Sequence, residues 1–235
     1  MIKFFRKIRQ KLLSENKFSK YLIYAIGEIV LVIIGILIAL GINENVKDKN
    51  NLELRDLYII QLNDEVNQNI KQLNNLENET SELIKDVDTL IRLLVNKEYD
   101  NPKLASKSQI LIMANDFHPI MITYENLKSS GDLKLFDDLN VRNSISESYE
   151  TFNEIKTVEL IDNKGVEIYY ENFLIPNVSF WDMNTNPKSY AKETYFQNMV
   201  LARSVSLRQN RDAYEKSIES LTKLKTTFNE LHNDN

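Results

Sequence analysis

The sequence predicts an all-α protein: one N-terminal transmembrane helix followed by an elongated antiparallel helical bundle. Three observations predict it. The stretch YLIYAIGEIVLVIIGILIALG, residues 21–41, is apolar almost throughout and carries a single ionisable residue, Glu28. Apolar residues then recur at spacings of three and four along the remaining chain, without the alternation that marks strands. The few Gly and Pro residues beyond the apolar stretch fall where those periodic runs stop.

About 20 apolar residues at 1.5 Å rise cover the ~30 Å hydrocarbon core of a bilayer, so residues 21–41 have the length of a membrane span. Lys3, Arg6, Lys7, Arg9, Lys11, Lys17 and Lys20 precede them against one acid, Glu15, whereas the residues that follow mix signs. Clustered Lys and Arg beside a span stay in the cytoplasm. The expected organisation is a basic cytoplasmic segment (residues 1–20), an inner-membrane helix (residues 21–41) and a periplasmic helical-bundle domain (residues 42–235). A cleaved signal peptide competes with this reading, because Ala39 and Gly41 have the spacing of a cleavage site. The apolar run is longer than the about 7–15 residues of a signal core, so an uncleaved anchor is expected. Removing the seven flanking bases, Glu15 and Glu28 from totals of 29 bases and 34 acids leaves the exported part with 22 bases and 32 acids. That acidic balance argues against a nucleic-acid partner, which needs a basic surface to displace counterions from phosphates.

In the N-terminal segment, Ile2, Phe5, Ile8, Leu12 and Leu13 lie at near-helical spacing among the bases, a pattern suited to the membrane interface. Within the span, Gly27, Leu31, Gly35 and Ala39 recur every four residues on one face. Small residues at that spacing let two helices approach closely. Glu28 borders the face and Tyr24 lies one turn earlier. A carboxyl at this depth is costly unless neutral or hydrogen-bonded. Contact with a partner helix through Gly27, Glu28, Gly35 and Ala39 is the expectation. The alternatives are a neutral Glu28 that snorkels toward the inner headgroups and a proton-linked site.

After the span, Leu52, Arg55, Ile59, Leu62, Val66, Asn69, Leu73, Leu76, Thr80, Leu83, Val87, Leu90 and Leu94 form a heptad seam with no Gly or Pro between Ile42 and Asn101. One helix of about 50 residues would be roughly 75 Å long. The expected cover for the seam is the chain's own later helices. The alternative is a parallel coiled coil, whose register Asn69 and Thr80 would set.

Tyr99-Asp100-Asn101-Pro102 should end the long helix, since Pro pushes the residue before it out of helical geometry. A short helix is expected over residues 103–115, a break at Phe117-His118-Pro119, and helix again over residues 120–128 up to Ser129-Ser130-Gly131. Residues 132–138 read as one turn of helix. A second long helix is expected over residues 139–174, with Asp162-Asn163-Lys164-Gly165 as a turn-like cluster within it and Pro176 at its end. The last helix should run over residues 190–231, with Val200, Leu207, Tyr214, Ile218, Leu221 and Phe228 as its seam.

The chain has no Cys, which removes thiol catalysis, thiolate metal sites and disulfides. Its two histidines, His118 and His232, do not suffice for a multi-histidine metal site. No phosphate-binding loop, nucleophile elbow or zinc-protease signature is present. No catalytic, cofactor-binding or metal-ligating residues are therefore assigned. Acidic pairs such as Asp137-Asp138 and Glu147/Glu150 read as caps and solvated faces. Tyr169, Tyr170, Phe173, Phe180 and Trp181 gather around Pro176. They would plug the end of the bundle or, as a candidate patch, meet a partner or ligand.

The opening run MIKFFRKIRQKLLSENKFSKYLIYAIGEIVLVIIGILIAL (residues 1–40) is similar to the N-terminus of a family of short single-pass membrane proteins of Bacteroidota, known only as a domain of unknown function. TYENLKSSGDLKLF (residues 123–136) resembles an internal motif of the same family. Many members follow the span with an Asn-Asn-Trp stretch. Here Ile42-Asn43-Glu44-Asn45 lacks that Trp, and no role carries over from it. The resemblance implies an inner-membrane anchor with an exported helical domain and brings no activity with it.

The functional expectation is a non-enzymatic, membrane-anchored periplasmic scaffold or accessory subunit that binds other envelope proteins or a second copy of itself. Gly27, Glu28 and Gly35 would serve in-membrane contacts and the Ser130-Gly131 turn a domain surface. The alternative is a periplasmic ligand-sensing bundle that signals through a partner. A cofactor, a nucleic acid and a small-molecule ligand are not expected.

Overall fold

The computed structural model describes residues 18–177 and 190–233. The basic residues 1–17 and the aromatic pair Phe180 and Trp181 lie outside the described residues. Helix α1 spans Phe18–Val95, α2 Pro102–Ser108, α3 Ile122–Ser130, α4 Leu139–Tyr169 and α5 Thr194–Asn233. Single turns of 3₁₀ helix occupy Gln109–Ile112 and Asp132–Leu135, and a π-helical turn occupies Tyr170–Leu174. Among the described residues there is no strand.

The chain forms two compact units, Met1–Leu54 and Arg55–Asn235. In the first, the apolar side chains point outward with nothing covering them: Ile23 is 71% exposed, Leu31 69% and Leu37 61%. This helix is long and apolar enough to cross a membrane, a property that anchors and signal sequences share. α1 continues without a break past Gly41 into the second unit, because no helix-breaking residue follows until Pro102.

α1 ends before that proline. Glu98 N–H donates to the Leu93 carbonyl at 2.9 Å and Lys97 N–H to the Leu94 carbonyl at 3.1 Å. These are the paired bonds of a Schellman cap, and they place Lys97 in left-handed geometry at φ 58°. Gly ordinarily fills this position, because a side chain there meets the following carbonyl.

The second unit is an antiparallel bundle. α5 runs against α4, as the pairs Ser148–Ser220, Thr151–Ser217, Glu159–Tyr214 and Asp162–Asn210 record in descending order. α1 and α4 run in the same sense, so the chain must return between them. The return leg descends α1 in order: Lys107 meets Asp86 at 2.5 Å, Asn115 meets Thr80 at 2.6 Å, Ile120 meets Asn69, Thr123 meets Glu65, and Asp132 meets Tyr58. The topology is up, down, up, down, with a second leg that is only partly helical.

Two apolar clusters fill the unit. One joins Ile59, Leu62, Val66 and Leu73 of α1 to Phe117, Tyr149, Phe152, Tyr214, Leu221 and Phe228. The other joins Ile84, Val87, Leu90 and Leu93 to Leu104, Ile110, Tyr169, Phe173, Phe196 and Leu207. From Ile59 to Leu90 the α1 seam is thus covered within the chain.

Several boundaries differ from expectation. Helix stops at Ile112 rather than 115, residues 113–121 carry no regular secondary structure, and α3 starts at Ile122 rather than 120. Pro119 disfavours helix at His118, and buried side chains take the backbone bonds that a helix would have supplied. α4 passes through Asp162-Asn163-Lys164-Gly165 unbroken, because Asp162 points inward to an ion pair rather than into a turn. Helical structure also runs past Pro176 to Asn177 after the π turn, in which Ile175 N–H reaches back to the Tyr170 carbonyl. The widened turn relieves the clash that a proline ring makes with the carbonyl four residues earlier. Gly131, at φ 74°, closes α3 as the sequence led us to expect.

The Lys97 cap yields a stability prediction. Lys97→Gly should raise the unfolding free energy by about 1 kcal/mol by removing the left-handed penalty, read as a higher urea midpoint at unchanged slope.

Candidate functional site

A Cβ added to Gly27 or Gly35 would meet nothing within 4 Å, and Ala39 is exposed, so the small-residue face of α1 is open along its length. Glu28 beside it is half-buried. The aromatic group behaves otherwise. Tyr169 and Phe173 are each 2% exposed and stack at 5.2 Å. Phe173 also meets Tyr190 edge-on at 5.3 Å and lies 5.7 Å from Phe196. Burial pushes the Tyr169 hydroxyl well above its ordinary pKa. Tyr169 and Phe173 thus pack in the interior, their rings filling the space between α4 and the start of α5, which is the plug of the two alternatives that the sequence offered. Tyr170 alone of the described members is exposed. Tyr190 and Phe196 complete the cluster.

The side chains that the structure does bring together are polar and buried. Glu65, Asn69 and Thr80 of α1, Glu159 and Asp162 of α4, and Arg203, Asn210 and Tyr214 of α5 are all buried. Each sits on a helix among apolar neighbours and turns toward the return leg or toward a partner that does.

Glu65 accepts the Thr123 N–H at 2.7 Å and the Tyr149 hydroxyl at 2.6 Å. It thereby caps α3, whose own N-cap residue Met121 offers no side-chain bond. Burial, then the Glu65 carboxyl, push the Tyr149 hydroxyl far up, which keeps it a donor. Tyr149 stacks on Tyr124 at 4.2 Å, with the rings 6° from parallel. Asn69 holds Ile120 at both backbone groups: its Oδ1 accepts the N–H at 2.8 Å and its Nδ2 donates to the carbonyl at 2.7 Å.

Glu159 accepts the Phe117 N–H at 3.1 Å and the Tyr214 hydroxyl at 2.5 Å. Burial raises its pKa above the ordinary 4.5, and the bonds from Tyr214 and Phe117 oppose that rise. Arg203 donates to Asp162, to the Met113 carbonyl and to the Ile110 carbonyl, while Asn210 donates to the other Asp162 oxygen at 2.9 Å. Beside this pair a cleft of about 30 Å³, lined by Leu111, Gly165, Met199 and Ser206 among others, has room for about one water.

Chemically, this arrangement holds main chain. The carboxyls of Glu65, Glu159 and Asp162 all receive donors from the protein. Among the described residues no group of three or more His, Asp or Glu is placed to hold a metal ion. Asn69 and Thr80, which a coiled coil would have used for register, instead anchor the return leg.

The fold and these contacts define an all-helical bundle preceded by one apolar helix. Compared with protein-family models, curated proteins and solved structures, the chain matches none.

Two sets of variants test the anchors. Asn69→Leu keeps the branched shape but leaves both Ile120 backbone groups unpaired, and should cost about 2–4 kcal/mol. Arg203→Met strands Asp162 and two carbonyls, and should cost roughly 3–5 kcal/mol. Chemical denaturation reads both. The raised pKa of Glu159 gives a pH signature. Between 4.5 and its raised native value the folded chain binds more protons than the unfolded chain, so stability contributed by the neutral acid is lost as pH rises through that window. Glu159→Gln removes this term. The wild-type stability minus that of the variant should therefore fall as pH rises above 4.5 through the raised native value.

Proposed function

We propose that this protein is a single-pass inner-membrane protein whose N-terminus is cytoplasmic and whose helical bundle lies in the periplasm. There it acts as a non-enzymatic scaffold or accessory subunit for other envelope proteins. One observation carries this reading: in the single helix α1 the apolar residues face outward uncovered, while the following seam from Ile59 to Leu90 is buried in a folded bundle. An outward apolar surface that long is stable in lipid and not in water. The basic flank of residues 1–20 supports a cytoplasmic N-terminus. The resemblance of residues 1–40 to the single-pass Bacteroidota family supports the same placement.

The binding role is supported by what the polar side chains do. Glu65, Glu159, Asn69 and Arg203 hold the chain's own backbone, and Asp162, Tyr149 and Tyr214 hold those side chains in turn. The small-residue face at Gly27, Leu31, Gly35 and Ala39 stands open for another helix.

Gentle detergent extraction of the tagged protein at native expression level is the test. A stoichiometric second protein should co-purify. Gly35→Leu should reduce cross-linked complex several-fold without changing the bundle's thermal unfolding. A wild-type chain that extracts as a lone monomer would overturn the scaffold reading.

A further inference from the structure

We propose that the seat of residues 113–121 is a groove for an extended peptide, and that this segment is its resident occupant, displaceable by a matching segment of a partner protein. The inference rests on the scaffold reading and specifies the kind of partner segment such a scaffold would take.

The segment is bound as a peptide is bound. Among the described residues, 114–120 make no backbone-to-backbone hydrogen bond. The main chain of residues 113–120 is instead read by side chains from all three long helices. Asn69 supplies Ile120 with the two bonds that a neighbouring strand would give. Glu159 takes the Phe117 N–H and Arg203 the Met113 carbonyl. One side chain is read as well: Phe117 is 6% exposed and packs edge-on against Phe152 at 5.2 Å. Met113, Ala114, Asp116, His118 and Pro119 face solvent. Five residues, from Asn115 at Thr80 to Ile120 at Asn69, run alongside eleven residues of α1, roughly 16 Å, so the seat demands a nearly extended backbone there and an aromatic residue three positions before the residue that Asn69 holds. It demands little else of the sequence. Recognition of main chain plus one anchor is how extended peptides are generally bound.

The lining favours exchange. Asn69, Thr80, Glu159 and Arg203 are polar, so water takes over their bonds when the segment leaves. The apolar clusters on either side have no such substitute. The segment also has boundaries at which to move: the 3₁₀ turn Gln109–Ile112 before it and the N-terminus of α3 after it, which is capped from Glu65 rather than from within. Segments with few backbone bonds and polar contacts open below the global unfolding limit.

The absence of cysteine makes a clean test available. Asn115 and Thr80 touch through their side chains at 2.6 Å, so Thr80→Cys with Asn115→Cys can pin the segment when oxidised, and the reduced form is the control. The probe is a fluorescein-labelled nonapeptide of residues 113–121, added to the full chain in detergent micelles and followed by anisotropy. It should bind the wild type and the reduced variant, and lose at least tenfold on oxidation. A peptide with Ala at the Phe117 position should also bind at least tenfold more weakly. In native-state hydrogen exchange, the Phe117 and Ile120 amides should exchange at lower denaturant than those of Leu73 and Leu90. The proposal is overturned by exchange of all four together, by no peptide binding, or by binding indifferent to oxidation. A partner that co-purifies equally with the oxidised variant would sink the groove and leave the scaffold reading standing.

Discussion

The bundle depends on how one irregular stretch of backbone satisfies its polar groups. A buried N–H or C=O without a partner costs as much as a lost hydrogen bond, and residues 113–121 have neither helix nor sheet to supply one. Asn69, Glu159 and Arg203 supply it from three different helices. Because each contributor sits on a different long helix, the leg seats only when α1, α4 and α5 are in a single mutual register. Apolar packing alone tolerates sliding by a turn. A bidentate amide and a forked guanidinium do not.

This division of labour shapes the energetics. The two apolar clusters supply most of the driving force, through fully buried Leu62, Leu73, Leu90, Leu207 and Leu221. Part of the polar set lies where the clusters give way to one another, around Thr80, Asp162, Arg203 and Asn210. The Asp162–Arg203 pair pays a desolvation penalty that its mutual attraction only partly offsets, but Arg203 also satisfies the Ile110 and Met113 carbonyls. Its contribution is to specificity of arrangement as much as to stability.

Function is framed by where chemistry is spent. The buried titratable groups all face inward and hold structure: Glu65 caps α3, Glu159 bridges Phe117 and Tyr214, and Asp162 holds Arg203. The small-residue face of α1 and the solvent side of the leg are exposed.

The helical class, the uncovered apolar stretch and the long periodic runs were legible in the sequence. They follow from local composition and from a 3.6-residue period that each helix carries by itself. The stops at Gly131 and near Pro102 were legible for the same reason. Asn69 and Thr80 stood out as polar breaks in an apolar seam, but their partners lie 35 to 51 residues away, and no local pattern names them. Asp162 looked like part of a turn because nothing nearby announces Arg203, 41 residues on. Tyr169 and Phe173 offered the same choice between patch and plug, which burial alone could resolve. Local sequence determined which segments become helices and which face of each is apolar. Only the tertiary structure decided which polar side chains meet, because hydrogen bonds between distant residues exist only once the helices have packed.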